Sequence, residues 1–257
     1  MRYKRKFAEG QLTLEGKKTV IQTAPCVPAI VKAVEDWRRS GYEGATETSR
    51  TLLNYWFRSD HRLPNGVRFY YYDAQREAIE TLIYLYEVVR VRRLKGLLEK
   101  YAGFSTLQLL QHDDFARYCF KMATGTGKTK VMALAYSWQY LNSVAEPSEE
   151  YARTALILAP NVIVFERLRT DFAAGRIFRT DPVIPPELAA FWDVECYVRG
   201  EGERATSQGA LYVTNIQQFY ERQEEEQEPK PIGDVLGSIP PERNDTGDFE
   251  QRVLARS

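Results

Sequence analysis

The sequence has few of the residues that build metal centres or disulfide frameworks. Among its 257 residues are three cysteines, Cys26, Cys119 and Cys196, which lie far apart without CxxC spacing, and two histidines, His61 and His112. Such a set makes no recognisable zinc site. We therefore expect reduced thiols in the core of a cytoplasmic protein.

Long apolar runs and an excess of one charge are missing as well. No run reaches the roughly 18 apolar residues that a membrane span needs, and no apolar segment follows the basic start MRYKRKFAEG, as it would in a secretory signal. Lys+Arg 35 balance Asp+Glu 35, which argues against a histone-like polycation. Nucleic-acid binding stays open, because it depends on local clusters of charge. With 44% hydrophobic residues, the chain is predicted to be a soluble globular protein of one large or two modest domains.

Apolar residues recur at helical spacing in three regions. Residues 25–57 are predicted to form one or two helices, with Thr48 or Ser49 as the N-cap of the second. Further helices are predicted over residues 73–89 and 129–142. The side chains expected to face the core are Ile30, Val31, Val34, Trp37, Ala78, Ile79, Leu82, Ile83, Leu85, Val131, Leu134, Ala135 and Trp138.

Three short runs between the helices are typical of strands. Residues 115–122, FARYCFKM, are strand-like, and residues 154–160, TALILAP, are an apolar run that a proline ends. Residues 210–215, ALYVTN, are a second apolar run. Their alternation with helices predicts a parallel α/β sheet with buried strands.

The segment KMATGTGKTKVMALA contains a glycine loop that runs into the last of these helices. Gly125 and Gly127 let the backbone turn tightly around phosphate oxygens, where side chains would block the approach of N–H groups. Lys128 can reach the β- and γ-phosphates, and Thr129 can place its hydroxyl on Mg²⁺. The strict pattern GxxxxGK[ST] has glycine where this chain has Met122. The sequence of this loop therefore predicts that the chain binds a nucleotide.

Four segments resemble superfamily-two helicase-like motors, particularly the ATPase subunits of type III restriction enzymes. They follow one another along the chain in the order found in that family. MATGTGKT is similar to the first motif of that family, and FYYYDAQREAIETLIYL resembles the region ahead of it that carries the Q-motif glutamine, here Gln75. The resemblance implies that the Gln75 amide recognises the edge of adenine, since an amide both donates and accepts hydrogen bonds. It extends over roughly residues 45–222.

The other two segments resemble the motifs with which that family grips nucleic acid. ALILAPNVIVFERL is similar to motif Ia and LYVTNIQQFYER to motif Ib, both at strand ends. The resemblance implies contacts to the nucleic-acid backbone from Pro160 and Asn161 in the first, and from Thr214 and Asn215 in the second. Short polar side chains and exposed N–H groups at strand ends are suitable phosphate ligands.

The resemblance implies a RecA-like P-loop NTPase fold: an incomplete first motor lobe with a parallel sheet and flanking helices, plus a helical N-terminal region. The chain is expected to divide into a helical accessory region at 1–60, a partial ATP-binding domain at 61–222 and, where the composition changes, an acidic, proline-rich linker or truncated end at 223–257. The resemblance implies ATP and Mg²⁺ as cofactors, with Lys128 as the catalytic residue and Thr129 as the metal ligand. It also implies DNA, single- or double-stranded, as a partner, together with either a modification methyltransferase subunit or the missing C-terminal part. The residues expected to hold the nucleotide are Gln75, Thr124, Gly125, Thr126, Gly127, Lys128 and Thr129.

Hydrolysis by such motors also needs an acidic pair at a strand end, usually DEAH or DExH, and arginine fingers from a second lobe. No apolar strand followed by Asp-Glu occurs between Asn215 and Ser257. We therefore expect a fragment of a restriction-type helicase or translocase that hydrolyses ATP slowly or not at all by itself. The run ELAAFWDVE ends in Asp193 and Glu195, but it lies between motifs Ia and Ib. A helix end or an edge strand is favoured there over a magnesium site.

Two other functions stay open. The chain could be a naturally truncated module that binds nucleotide or DNA without turnover. It could also be a self-contained P-loop kinase of small molecules, in which Asp193 would be essential.

A basic cluster and a run of tyrosines each have two interpretations. The basic cluster could line a nucleic-acid path, although a solvated helix face is favoured. The tyrosines could stack on adenine, although packing against the following helix is favoured. The basic cluster consists of Arg90, Arg92, Arg93 and Lys95. The tyrosines are Tyr70, Tyr71 and Tyr72.

Overall fold

A computed structural model describes residues 11–12, 18–19, 26–102, 116–199, 207–217 and 219. The chain divides into two compact units. One unit draws on residues 1–43 and 83–119, and the other on residues 44–82 and 120–257. The predicted division of the chain at residues 60 and 222 stays a prediction, and its last segment lies outside the described residues.

The elements follow in chain order, with π- and 3-10-helical turns between some of them. The α-helices are α1 Val27–Arg39, α2 Glu47–Arg58, α3 Asp73–Ile83, α4 Leu94–Ala102, α5 Lys128–Ala145, α6 Val162–Phe172 and α7 Arg176–Thr180. The strands are β1 Gln11–Leu12, β2 Lys18–Thr19, β3 His61–Arg62, β4 Arg68–Phe69, β5 Thr154–Ala159, β6 Val194–Val198 and β7 Gly209–Asn215. A π-helical turn spans Tyr84–Val88, and 3-10 turns span Ala173–Gly175 and Pro186–Phe191. No described helix has the length and apolarity to cross a membrane.

Helix α1 follows the predicted pattern closely. A proline stands in its first turn, where a missing N–H is tolerated. Ile30, Val34 and Trp37 are buried at the expected helical spacing, whereas Val31 is 45% exposed. The predicted face is therefore correct at three of its four positions.

The start of α2 corrects the predicted N-cap. Thr46 is the N-cap, and its hydroxyl oxygen accepts a hydrogen bond from the Ser49 backbone N–H at 3.0 Å. Thr48 and Ser49, the predicted caps, lie inside the helix and are buried. Thr46 is the cap because its extended backbone, with φ −60° and ψ 163°, directs the hydroxyl at the first turn of the helix.

Helices α2 and α5 are joined by a buried polar network centred on Asn142. Its amide nitrogen donates to the Ser49 hydroxyl at 3.1 Å and to the Trp138 carbonyl at 2.9 Å. Its amide oxygen accepts from the Thr46 hydroxyl at 2.6 Å. Because every group in the network finds a partner, the network fixes the pairing of the two helices.

The predicted parallel α/β sheet is confirmed. Strand β7 lies between β5 and β6 and pairs with both in parallel. All seven residues of β7 are buried, which is typical of a central strand covered on both faces. Helices flank the sheet, and the apolar runs predicted as strands are β5 and β7. The expected burial is correct for β7 and wrong for β5, in which Leu156 and Leu158 are 39% and 42% exposed.

Three other expectations need correction. The described residues 116–122 of the strand-like segment contain no strand: their side chains alternate between exposed and half-buried, but their backbone joins no ladder. Leu82 and Ala135, predicted to face the core, are half-buried. Cys119 is exposed, although Cys26 and Cys196 are buried free thiols as predicted.

Candidate nucleotide-binding site and strand-end surface

The glycine loop lies directly before α5 and has the backbone geometry that its sequence predicts. Gly125 has φ 81° and Gly127 has φ 75°, in the left-handed region that favours glycine. A Cβ atom added at Gly125 would have no described atom within 4 Å. The backbone of the loop therefore borders open space, where a phosphate group could approach it closely.

The N-terminus of α5 is suited to an anion. Among the described residues no side chain caps it, and its first turn contains no acidic residue. The first-turn amides of a helix have no intrahelical acceptor, and the positive end of the helix dipole lies there. Lys128 adds positive charge at the same end, which costs stability unless an anion offsets it, whereas Lys130 is already paired with Asp181. This donor set fits a triphosphate.

Lys128, the predicted catalytic residue, is exposed and lies against its own loop. Its ammonium group donates to the carbonyls of Met122 at 3.1 Å and Ala123 at 2.7 Å. The Ala123 carbonyl also accepts from the Thr126 hydroxyl at 2.7 Å. Thr124 lies in the exposed turn between Ala123 and Thr126. The Lys128 ammonium is therefore held on two carbonyls of the loop, and its role in catalysis stays a prediction.

A cavity of about 360 Å³ adjoins the loop. Thr129, the predicted metal ligand, contributes to its lining. Within the described part of the chain no group of three or more His, Cys, Asp or Glu side chains could hold a metal. A hydroxyl such as that of Thr129 is a suitable oxygen ligand for magnesium, and its role as metal ligand stays a prediction. The lining residues are Gly127, Thr129, Lys130, Thr170, Asp171, Arg176, Ile177, Thr180 and Asp181.

Sequence reasoning missed the ion pair between Lys130 and Asp181 at this cavity. The Lys130 ammonium also lies 4.9 Å from the centre of the Phe69 ring, a cation–π contact. Lys130 follows the GKT signature and could have been noted. Nothing in the sequence marks Asp181, because 51 residues separate it from Lys130.

Gln75, the third residue of α3, touches the glycine loop. Its amide nitrogen donates to the Thr126 carbonyl at 2.9 Å, and its amide oxygen accepts from the Tyr72 N–H at 3.0 Å. The side chain is buried, with 1% of the residue exposed. The predicted contact with adenine stays a prediction.

The tyrosine run divides between packing and exposure. Tyr71 is buried, and its hydroxyl donates to the Pro182 carbonyl at 3.2 Å. Burial raises the pKa of Tyr71 well above its ordinary value, and the nearby Asp181 carboxylate raises it further. Tyr70 and Tyr72 are 68% and 54% exposed. Tyr71 is therefore packed, with its ring against those of Phe57 and Phe69, whereas its two neighbours are exposed. Packing against the following helix stays a prediction.

The two candidate nucleic-acid segments lie side by side at the carboxyl ends of β5 and β7. Strands β5 and β7 are in register with Ala159 opposite Asn215, so Pro160 and Asn161 follow directly beside the end of β7. Asn161 has a structural task as well, because its side-chain oxygen accepts from the Val164 N–H at 2.9 Å and so caps α6. Pro160 and Asn161 are exposed.

Thr214 and Asn215 are placed differently from Pro160 and Asn161. Each is 1% exposed. Within the described part of the chain, the Thr214 hydroxyl and the Asn215 side-chain oxygen have no hydrogen-bond partner. Contact with a nucleic-acid backbone through these side chains would need their surroundings to open, and it stays a prediction.

The basic cluster near α4 has the contacts of a solvated surface. Lys95 pairs with Glu99 at 3.8 Å one helical turn away, both side chains being largely exposed. The Arg92 guanidinium lies 4.4 Å from the centre of the Tyr86 ring. These local contacts favour the solvated-face interpretation of the cluster.

Asp193, which the kinase alternative requires for activity, instead forms hydrogen bonds to the backbone just before and at the start of β7. Its carboxylate accepts from the Gln208 N–H at 2.9 Å, and its carbonyl accepts from the Gly209 N–H at 2.9 Å. It stands just before β6, whereas ligands of parallel sheets bind beyond the carboxyl ends of the strands. The run ELAAFWDVE forms a 3-10 turn and an edge strand, as the favoured interpretation predicts.

A parallel sheet flanked by helices, with a glycine loop opening a long helix, defines the class of RecA-like P-loop domains. Residues 68–235 match the family described as type III restriction enzyme, res subunit, and the chain belongs to this family. The matched segment is part of the ATPase region of helicase superfamily 2, so the chain carries a restriction-type, helicase-like ATPase module. Comparison with curated proteins and with solved structures gives no match.

Proposed function

We propose that this chain is the ATP- and DNA-binding part of a restriction-type helicase or translocase that couples ATP hydrolysis to movement on DNA. The observation that carries the proposal is the uncapped N-terminus of α5, preceded by two left-handed glycines and lying inside the family segment. The first-turn amides of α5 and the Lys128 side chain stand at the same end of the helix, which suits a triphosphate.

The chain's own groups have distinct tasks in this proposal. The first-turn amides of α5 and the Lys128 ammonium bind the phosphate oxygens, and the Thr129 hydroxyl is directed at Mg²⁺. ATP supplies the phosphoanhydride bond whose hydrolysis drives movement. Developing charge on the phosphates is stabilised by donors that the loop already holds in place.

The DNA contacts are proposed at the carboxyl ends of β5 and β7. The parallel register brings Pro160 and Asn161 beside Asn215, so a nucleic-acid backbone could pass over both strand ends. Backbone contacts of this kind carry no sequence information, and they fit a motor that moves along DNA of any sequence. A modification methyltransferase subunit is proposed as a further partner, on the ground of family membership.

The nucleotide part of the proposal is tested by replacing Lys128. Fluorescence titration with a labelled ATP analogue and Mg²⁺ should show a loss of affinity of roughly tenfold or more for Lys128→Ala, because charge-assisted hydrogen bonds to phosphate are removed. Lys95→Ala is the matched control, since Lys95 is a surface lysine paired with Glu99. Equal affinities of Lys128→Ala and the wild type would contradict the proposal.

The motor part is tested by turnover. Phosphate release should be measured with and without single- and double-stranded DNA. DNA-stimulated hydrolysis supports a motor. Binding of both ligands without hydrolysis would favour the module that binds without turnover.

A further inference from the structure

We propose that the DNA-binding surface extends to a third strand end, where Arg199 binds a phosphate of the nucleic-acid backbone. Arg199 follows directly after β6, which lies on the other side of β7 from β5. This inference rests on the proposed binding of DNA at the ends of β5 and β7. It adds a residue from outside the two candidate nucleic-acid segments.

The order of the strands places three carboxyl ends side by side. Both pairings of β7 are parallel, so β5, β7 and β6 all end on the same side of the sheet. Neighbouring strands lie about 4.8 Å apart, so the ends of β5 and β6 are roughly 10 Å apart. One strand of a nucleic-acid helix carries a charge about every 3.4 Å. Two or three successive phosphates therefore fit across the three strand ends.

The ladder between β6 and β7 fixes the backbone of Arg199. Its N–H donates to the Val213 carbonyl at 3.1 Å, which continues the ladder by one position and sets Arg199 opposite Thr214. Opposite residues of a parallel ladder project from the same face of the sheet. The stacked rings of Tyr197 and Tyr212 show this two positions earlier. The Arg199 and Thr214 side chains therefore project from one face.

The Arg199 guanidinium is suited to a phosphate. The residue is half-buried, and among the described residues its guanidinium has no hydrogen-bond or ion-pair partner. The carboxylate of Glu195, on the same face of β6, lies about 13 Å away along the strand and accepts from the Tyr197 and Ser207 hydroxyls. Arginine has five N–H donors in a planar fork that matches the geometry of phosphate.

A buried hydroxyl opposite Arg199 points to the same ligand. Thr214 is 1% exposed, and within the part of the chain that the structure describes its hydroxyl has no hydrogen-bond partner. An unpaired buried polar group costs stability, so such a group usually has a ligand or a water molecule as its partner. A hydroxyl can donate to a phosphate oxygen. Once the surroundings of Thr214 open, a phosphate held by Arg199 supplies the missing acceptor.

The salt dependence of DNA binding tests the role of Arg199. Fluorescence anisotropy with a labelled single-stranded oligonucleotide gives the affinity at several salt concentrations. For Arg199→Ala the slope of log affinity against log salt should become less steep by about 0.7, since one phosphate contact is lost. At 0.1 M salt this change corresponds to about fivefold weaker binding. Arg199→Lys keeps the charge and should keep the slope.

Arg169→Ala is the matched control, because it removes the same charge elsewhere on the same unit. Arg169 is an exposed residue of α6, paired with Glu166 at 3.7 Å. Helix α6 begins beside the end of β5, so Arg169 lies about 10 Å along the helix from the strand ends. Its slope should equal that of the wild type. Arg199→Gln, which is neutral but keeps a long side chain, should repeat the loss seen in Arg199→Ala, so a folding defect of the alanine variant would not decide the test.

Thr214→Val tests whether the hydroxyl shares the phosphate. The substitution should weaken DNA binding in the wild type without changing the slope, because the hydroxyl is neutral. It should weaken binding much less in Arg199→Ala, where the phosphate is no longer held. An equal effect in both backgrounds would overturn the shared contact.

Two further outcomes separate this inference from the proposed function. If the wild type binds the oligonucleotide and the slope is unchanged in Arg199→Ala and Arg199→Gln, the proposed DNA binding stands and the role of Arg199 is overturned. The same change of slope in Arg169→Ala would also overturn it, since any lost charge would then suffice. A wild type that binds no DNA at any salt concentration would contradict the proposed function itself.

Discussion

Replacing Gly209 by alanine tests the packing beneath the start of β7. A Cβ atom there would lie 2.7 Å from Cδ2 of Tyr140, closer still to Cε2 of the same ring, and 2.9 Å from Cγ2 of Val194. Tyr140 is fully buried, and its hydroxyl lies 3.1 Å from the carbonyls of Phe191 and Asp193 and from the Asp193 N–H. The ring cannot move aside without disturbing these bonds.

The expected cost has two parts. Overpacking a well-filled site costs about 1–3 kcal/mol. Weakened hydrogen bonds of the Tyr140 hydroxyl add about 1 kcal/mol. Gly209 has no left-handed backbone that alanine would strain. Gly209→Ala should therefore lower the free energy of unfolding by about 2–4 kcal/mol.

Urea unfolding followed by circular dichroism measures this change. In a Tyr140→Leu background the obstructing ring is gone, so the added methyl should cost much less, and a double-mutant cycle should give a coupling energy of about 1 kcal/mol or more. A Gly209→Ala protein as stable as the wild type would refute the reasoning. So would an equal cost in both backgrounds.

Two further substitutions test the strand ends. Thr214→Val replaces a buried hydroxyl that has no partner in the described part of the chain, so the free energy of unfolding should stay equal or rise by up to about 2 kcal/mol, as measured in urea; a clear fall would mean that the hydroxyl is paired. Asn161→Ala removes the cap of α6 and should cost about 1 kcal/mol in the same assay, whereas Asn161→Asp should cost much less; equal stability of all three proteins would contradict the capping role.

The features that the sequence predicts well are local. The glycine loop and the start of α5 follow from neighbouring residues, because glycine, lysine and threonine at fixed spacing leave few backbone solutions. The runs that became β5 and β7 were evident because both are apolar, as buried parallel strands are. Only β7 is buried throughout, whereas Leu156 and Leu158 of β5 are 39% and 42% exposed. The two predicted N-caps of α2, Thr48 and Ser49, lie two and three residues after the true cap, Thr46. The extended backbone at Thr46 determines the start of the helix, and the spacing of apolar residues does not predict it.

The features that the sequence does not predict depend on partners far along the chain. Lys130 meets Asp181 only because α7 ends beside α5. Strand β7 lies between β5 and β6, an order that differs from the order in the sequence. The segment before the loop has the alternation of a strand, but alternation does not supply a neighbouring strand. The burial of Thr214 likewise follows from the cover on both sides of β7.

The double task of Asn161 limits how this chain could change during evolution. A helix N-cap accepts asparagine, aspartate, serine or threonine with little loss of stability. At the proposed DNA contact these four residues are not alike, since a hydroxyl or an amide can donate to a phosphate whereas a carboxylate repels it. Substitutions at position 161 would therefore change the affinity for DNA in a few discrete steps. The need to cap helix α6 would limit the substitutions to these four residues.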